Sequence, residues 1–224
     1  MKIRSMALPL GAAALLTPTG LTVAATGGAF AADPQPACHA EGATIVGTDH
    51  RDHLVGTAGR DVIVANAGSD VIEGKGGNDL VCAGKGGDKI LGGTGKDRLF
   101  GGADTVRWDE PPEWIGDTFI GGPGNDYFDG GEFEAKDIAD YKGADFRIVA
   151  DLRAGTVKSG GDTDRLANGS IESVMGSAHN DRVLGSHENN SLTGGLATTT
   201  SSVAAAATAC LATSSTPRRA ATTR

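Results

Sequence analysis

Aromatic bulk is scarce in this chain. Six Phe, two Trp and two Tyr among 224 residues leave too little for a large conventional globular core. Cysteine is scarce too: Cys38, Cys82 and Cys210 form no C-x-x-C, so neither a zinc ribbon nor a thioredoxin-like centre is indicated. The H-E-x-x-H signature of a zinc protease and the G-x-S-x-G elbow of a serine hydrolase are both missing. Positive charge is outweighed, with 20 Lys and Arg against 28 Asp and Glu, a formal net charge of -8. That balance speaks against a nucleic-acid partner and suits a cation ligand. Long apolar runs are absent as well: Met6 to Leu16 is interrupted by Thr17-Pro18-Thr19-Gly20, short of a stable membrane span.

The same run, preceded by Lys2 and Arg4 and followed by Ala29-Phe30-Ala31, has the layout of a secretory signal peptide over residues 1–31. A retained membrane anchor is the rival reading. Cleavage would start the mature chain near Ala32; losing two positive charges takes -8 to about -10. A secreted, extracellular protein meets calcium at concentrations that fill weak sites. It also meets an oxidising environment, in which Cys38 and Cys82 would staple the N-terminal segment onto the repeats; three unpaired thiols is the alternative.

Glycine is in excess, 35 residues in all, with neither the period of three nor the proline content of collagen. It falls in a pattern of nine. From Gly47 the chain reads GTDHRDHLV, GTAGRDVIV, ANAGSDVIE, GKGGNDLVC, AGKGGDKIL and GGTGKDRLF, six copies without a gap. Position 6 is Asp52, Asp61, Asp70, Asp79, Asp88 and Asp97; position 8 is Leu54, Ile63, Ile72, Val81, Ile90 and Leu99. Position 4 is His50, then Gly59, Gly68, Gly77, Gly86 and Gly95. A repeat this short predicts an all-β fold, a parallel β-roll or β-helix solenoid. Positions 1–6 should turn and positions 7–9 should form a short strand, with position 8 facing the core and positions 7 and 9 facing away. Two repeats then make one coil, and stacked coils bury a thin core that no coil could bury alone.

The expected organisation runs from a leader over 32–46 to repeats over 47–131, with a loop inserted near 103–116 that carries Trp108 and Trp114. Asp117 and Asp126 with Phe119 and Phe128 recover the register, and Gly124 stands at position 4 of that full copy. Asp137 falls two residues late. A β-rich linking segment over 132–175 should hold one strand near Phe146–Leu152, a polar turn at Ser159–Asp164 and another strand near Ile171–Met175. A second repeat block, 176–195, has Asp181 and Asn190 at position 6. The Ala-, Thr- and Ser-rich stretch 196–224 is expected to be disordered, or to be a terminus shifted out of frame.

The turns suit calcium. Glycines at positions 1 and 4 should let the backbone aim its carbonyls inward, and a hard cation accepts those oxygens together with carboxylates. Stacking aligns Asp52, Asp70 and Asp88 along one edge and Asp61, Asp79 and Asp97 along the other. Such columns would repel without a cation, so binding and folding should be coupled. The turns around Asp70–Asp88 and Asp79–Asp97 are the strongest candidates; Arg60, Lys75, Lys85 and Lys96 bring positive charge nearby.

These residues resemble the haemolysin-type, or RTX, calcium-binding nonapeptide repeat. Gly92–Phe100 and Gly121–Asp129 match GGxGxDxUx in full. The resemblance implies Ca2+ held by turn carbonyls and by Asp52, Asp61, Asp70, Asp79, Asp88, Asp97, Asp126 and Asp181, with Asn190 a poorer ligand. It implies a folding or export module; the missing catalytic motifs lead to the expectation of no enzyme. Two other roles stay open. One is a cell-surface or matrix protein whose acidic faces meet an extracellular glycan or protein partner. The other is an extracellular hydrolase with unrecognised catalytic residues, for which Asp109, Glu110 and Glu113 are the acidic candidates. The five histidines, His50 and His53 included, read as turn surface.

Overall fold

A six-residue turn in a nine-residue period leaves three residues for a strand, and most strands have that length. The computed structural model describes residues 38, 40–104, 116–131 and 136–195, and the backbone of 200–202 and 210–211. The expected signal peptide and both tryptophans lie outside the described residues. Through the first repeats run β1 (Ile45–Val46), β2 (His53–Val55), β3 (Val62–Val64), β4 (Val71–Glu73), β5 (Leu80–Lys85), β6 (Lys89–Leu91) and β7 (Arg98–Ala103). There follow β8 (Thr118–Ile120), β9 (Tyr127–Gly131), β10 (Ile138–Asp140), β11 (Ile148–Asp151), β12 (Thr156–Ser159), β13 (Asp162–Leu166) and β14 (Ser173–Met175). The last are β15 (Arg182–Leu184), β16 (Ser191–Thr193), β17 (Thr200–Ser202) and β18 (Cys210–Leu211).

Apart from β11, β12 and β13, which share one sheet, successive strands alternate between two sheets, and through the first repeats each strand pairs with the next but one. One sheet has the order β1-β3-β5-β7-β9-β13-β12-β11-β15-β17 and the other β2-β4-β6-β8-β10-β14-β16-β18. Pairing in the repeats is parallel with a shift of one two-repeat coil, Val62 opposite Leu80 and Val71 opposite Lys89. Position 8 fills the space between the sheets. Ile63, Ile72, Val81, Ile90, Leu99, Phe119, Phe128, Val174, Val183 and Leu192 form one buried cluster, in which the rings of Phe119 and Phe128 stack at 5.5 Å. Two such side chains per coil contribute about 3–6 kcal/mol, a small return for ordering a whole coil, so the coils depend on stacking.

Positions 7 and 9 behave differently on the two walls. On the second sheet His53, Val55 and Lys89 face solvent, as expected. On the first, Val62, Val64, Leu80, Cys82 and Phe100 are buried in a second cluster with Cys38 and Ala43. The N-terminal leader covers this outer face and is fastened there by the Cys38–Cys82 disulfide.

The interruptions are absorbed without losing the stack. After Asp104, β8 pairs with β6 (Lys89 opposite Thr118) and β9 with β7 (Arg98 opposite Tyr127). The segment after Gly131 contributes β10 to the second sheet, a strand the period did not indicate. The expected polar turn at Ser159–Asp164 is narrower: Gly160-Gly161 turns the chain, and Asp162–Asp164 belong to β13. Strands β11, β12 and β13 form an antiparallel meander. Its outer strands pair in parallel with β9 and β15, which returns the solenoid to its own pattern. Within the stretch expected to be disordered, the backbone continues one further coil: Arg182 lies opposite Thr200 and Leu192 opposite Cys210.

Candidate metal centres

Along each edge of the stack the position-6 carboxylates make a hydrogen-bonded column. One oxygen of each, Oδ1, accepts from the backbone N–H of the acidic residue one coil earlier. On one edge the donor–acceptor pairs are Asp52 to Asp70 (2.7 Å), Asp70 to Asp88 (2.7 Å), Asp88 to Asp117 (2.7 Å) and Asp117 to Asp137 (2.6 Å). The N–H of Asp137 then donates to Glu172 Oε2 at 3.0 Å. On the other edge they are Asp61 to Asp79 (2.8 Å), Asp79 to Asp97, Asp97 to Asp126 and Asp126 to Asp164 (each 2.9 Å). The columns thus gather Asp52, Asp61, Asp70, Asp79, Asp88, Asp97 and Asp126 as the pattern requires. They also recruit Asp117, Asp137, Asp164 and Glu172, which the fixed period did not single out as ligands. Asp181 serves the meander, accepting from the N–H of Ile148 at 2.8 Å.

The second oxygen separates two kinds of turn. In the first two repeats Thr stands at position 2 and closes the turn from within. Thr48 N and Oγ1 donate to Asp52 Oδ2 at 2.6 and 2.9 Å, and Thr57 N and Oγ1 to Asp61 Oδ2 at 2.6 and 3.0 Å. Ser186 does the same for Asn190. In the central repeats position 2 is Asn66, Lys75, Gly84, Gly93 or Gly122, with φ between 74° and 116° and no hydroxyl to offer. There Oδ2 of Asp70, Asp79, Asp88, Asp97 and Asp126 is buried without a hydrogen-bond partner, as are Oδ2 of Asp117 and Asp181. A buried acceptor left bare is costly unless something positive faces it.

Glycine has different jobs at different positions. The left-handed φ falls at positions 2 and 4, as at Gly93 and Gly95, and not at position 1 as the sequence suggested. Position 1 is alanine at Ala65 and Ala83, but where it is glycine, oxygens crowd it. A Cβ on Gly74 would lie 2.5 Å from Asp79 Oδ2 and 2.4 Å from the carbonyl oxygen of Gly92 in the next coil. Position 4 is as crowded at Gly68 and Gly86 on one edge and at Gly77, Gly95 and Gly124 on the other, though not at Gly59; a Cβ on Gly95 would meet the Gly77 oxygen at 1.6 Å. Carboxylate and carbonyl oxygens therefore close on the same space in each central turn. This donor set, all oxygen and part anionic, fits a hard cation of the calcium class.

Electrostatics agree. Burial pushes Asp79 up to about 6, Asp126 to about 7 and Asp88 to about 8, with neighbouring carboxylates of the columns adding to each. Asp70 and Asp97 move the same way, mainly through burial. Holding these groups ionised at neutral pH needs a counter-charge. Arginine supplies only a minor part of it: Arg60 lowers Asp79 and Arg51 lowers Asp70, but burial outweighs both, and Arg60 also pairs with Glu41 of the leader. His53 hydrogen-bonds Glu73 at 2.9 Å on the surface, so it is not poised with His50 as a metal pair.

Residues 46–81, 83–105 and 116–133 match the RTX calcium-binding nonapeptide repeat (4 copies). No curated protein matches the chain. Among solved structures, it is similar to the AlgE6R3 subunit of the Azotobacter vinelandii mannuronan C5-epimerase. The identity is 26%, over 56% of this chain and 75% of that one, with a TM-score of 0.31.

Proposed function

Given that this chain carries RTX calcium-binding nonapeptide repeats, we propose that its calcium sits in the central turns and is excluded from the first two. The protein is a calcium-binding β-roll, and the family it matches is a calcium-binding repeat, not a catalytic domain. It is extracellular, in keeping with a disulfide that an oxidising compartment preserves. Among the described residues no helix is long and apolar enough to cross a membrane.

One observation carries the assignment: the unpartnered, buried Oδ2 atoms of Asp70, Asp79, Asp88, Asp97 and Asp126. These carboxylates, with the carbonyls of Gly68, Gly77, Gly86, Gly95 and Gly124, are the proposed ligand set. Bound calcium would supply the positive charge the columns lack. The chain's own residues do the rest: position-6 N–H groups fix each carboxylate, and glycines let the coils approach. Asp52 and Asp61 are left out, because Thr48 and Thr57 already occupy their second oxygens. A far-ultraviolet circular dichroism titration of the full chain tests this. Calcium, and not magnesium, should give a cooperative gain of β signal. D79N should weaken the midpoint at least tenfold, whereas D52N should move it less than threefold. Equal effects of the two would refute the division of turns.

A role in attachment rests on a different feature. A groove of about 240 Å³ beside the meander is lined by Tyr141, Phe146, Asp140, Asp145 and Asp162, and Phe146 is 61% exposed. An open aromatic ring among carboxylates suits the apolar face and hydroxyls of a glycan, or a basic protein surface. Loss of calcium-dependent glycan binding in F146A, with folding retained, is the expected result.

A further inference from the structure

At the first interruption of the repeats an aspartate takes the place of the position-4 glycine and adds a carboxylate to the edge. Gly68 and Gly86 occupy position 4 in successive coils, each with its N–H donating to a carbonyl of the following coil: Gly68 to Lys85 and Gly86 to Ala103. One coil further, after Ala103, position 4 is Asp104. Its side chain approaches the column of its own edge: one carboxylate oxygen each of Asp104, Asp117 and Asp137 lie within 4.8 Å of one another. Asp117 is fully buried and Asp137 is 2% exposed. Oδ2 of Asp117 and both oxygens of Asp104 are buried and have no hydrogen-bond partner. Asp104 takes no part in the column, whose bonds here run from Asp88 to Asp117 and from Asp117 to Asp137. Its carboxylate therefore does nothing for the stack that a neutral side chain would not do.

We infer that Asp104, Asp117 and Asp137 form a separate three-carboxylate calcium site at the point where the chain leaves the repeat pattern. Unlike the repeat turns, where carbonyls share the coordination with carboxylates, this site presents three carboxylates to one ion. Among the described residues no lysine or arginine acts on these three carboxyls; each is pushed upward by burial first and by neighbouring carboxylates second. Three close carboxylates without a cationic side chain beside them stay ionised together only with a bound ion. Higher ligand charge also means tighter binding, so this site fills before the repeat turns. It ties Asp104, at the start of the excursion, to Asp117 just after its return.

Terbium, a luminescent stand-in for calcium, provides the test on the full chain. Trp108 is four residues from Asp104 and Trp114 three from Asp117. At about 3.6 Å per residue their α-carbons lie within roughly 14 and 11 Å of those aspartates, close enough to sensitise the ion. Tryptophan-excited terbium emission should appear in the wild type and be displaced by calcium. D104N should weaken that emission at least tenfold in terbium concentration while the calcium-induced β signal persists, and D104E should restore it. Unchanged emission in D104N would overturn the assignment. So would loss of the β signal in D104N, because Asp104 would then belong to the repeat sites. If emission is present while D79N and D52N behave alike, the division of the repeat turns fails and this site stands.

Discussion

Two glycines at the same motif position should respond oppositely to alanine. Gly95 and Gly59 are both at position 4. At Gly95 φ is +137° and a Cβ would stand 1.6 Å from the Gly77 oxygen; at Gly59 φ is not left-handed and the nearest atom is Thr57 Oγ1 at 3.8 Å. An alanine at Gly95 therefore meets backbone strain of about 1–3 kcal/mol and must push two coils apart. The parting coils put at risk the bonds from Gly77 N to the Thr94 carbonyl (2.9 Å) and from Gly95 N to the Pro123 carbonyl (3.0 Å). Each contributes about 0.5–1.5 kcal/mol net, so G95A should cost about 2–6 kcal/mol in all, and G59A within about 0.5 kcal/mol of nothing. At about 2–4 °C per kcal/mol for a chain of this size, G95A lowers the thermal midpoint in saturating calcium by about 4–24 °C. G59A leaves it in place. Thermal melts followed by circular dichroism, at one calcium concentration well above the wild-type midpoint, decide it. Equal shifts in the two variants would show that glycine matters at position 4 for a reason other than this contact.

Acid should partly replace calcium. The carboxyls of Asp79, Asp126, Asp88 and Asp137 are raised in the fold to between about 6 and 9, from an unfolded value of 3.8. A raised carboxyl favours the fold below its unfolded value, and that benefit is lost as pH climbs through the folded one. At pH 7 holding Asp88 protonated, as its value of about 8 in the fold requires, costs the metal-free fold on the order of 4 kcal/mol relative to acid. In chelator, then, β signal should grow as pH falls from 8 toward 4, while calcium affinity weakens over the same window; a flat profile would contradict the buried-carboxylate account. Reduction of Cys38–Cys82, or C38S, should lower the calcium-saturated thermal midpoint by an amount equivalent to about 2–4 kcal/mol, as for a loop of 44 residues. An unchanged midpoint would mean that the leader holds to the first sheet by packing alone.

Strict periodicity made most of the architecture readable in advance. Position 8 and position 6 fell where the count of nine put them, because each coil is geometrically the same and a slip by one residue would turn Ile72 out of the core and Asp70 away from its column. The count failed where residues are inserted. Asp137 and Glu172 each immediately precede a strand, β10 and β14, as every position-6 residue of the repeats precedes its own. Counting back from the strand would have found both. Asp164 could not be found that way, because it lies inside β13 and reaches Asp126 through the meander. The hydroxyls of Thr48, Thr57 and Ser186 were in plain view, but their meaning depends on the sign of φ at position 2, and Asn66 and Lys75 adopt the left-handed value without being glycine. The backbone pairing at 200–202 and 210–211 has no aspartate or glycine to announce it, only the continuing spacing of nine.

The columns also have a direction. From Asp52 to Asp126 each position-6 N–H is satisfied by a carboxylate from the coil that follows it in the chain, never from the one before: Asp61 by Asp79, Asp79 by Asp97, Asp97 by Asp126. The two ends of any partial stack are therefore chemically unlike. A stack cut at its N-terminal side exposes carboxylate oxygens, which water or ions solvate readily. A stack still lacking its next coil exposes bare N–H groups at both edges, a much poorer surface to leave unfinished. Each coil is completed by its successor, so a chain that emerges N-terminus first stays open at its growing edge until the next repeat arrives, and closes from behind as it lengthens.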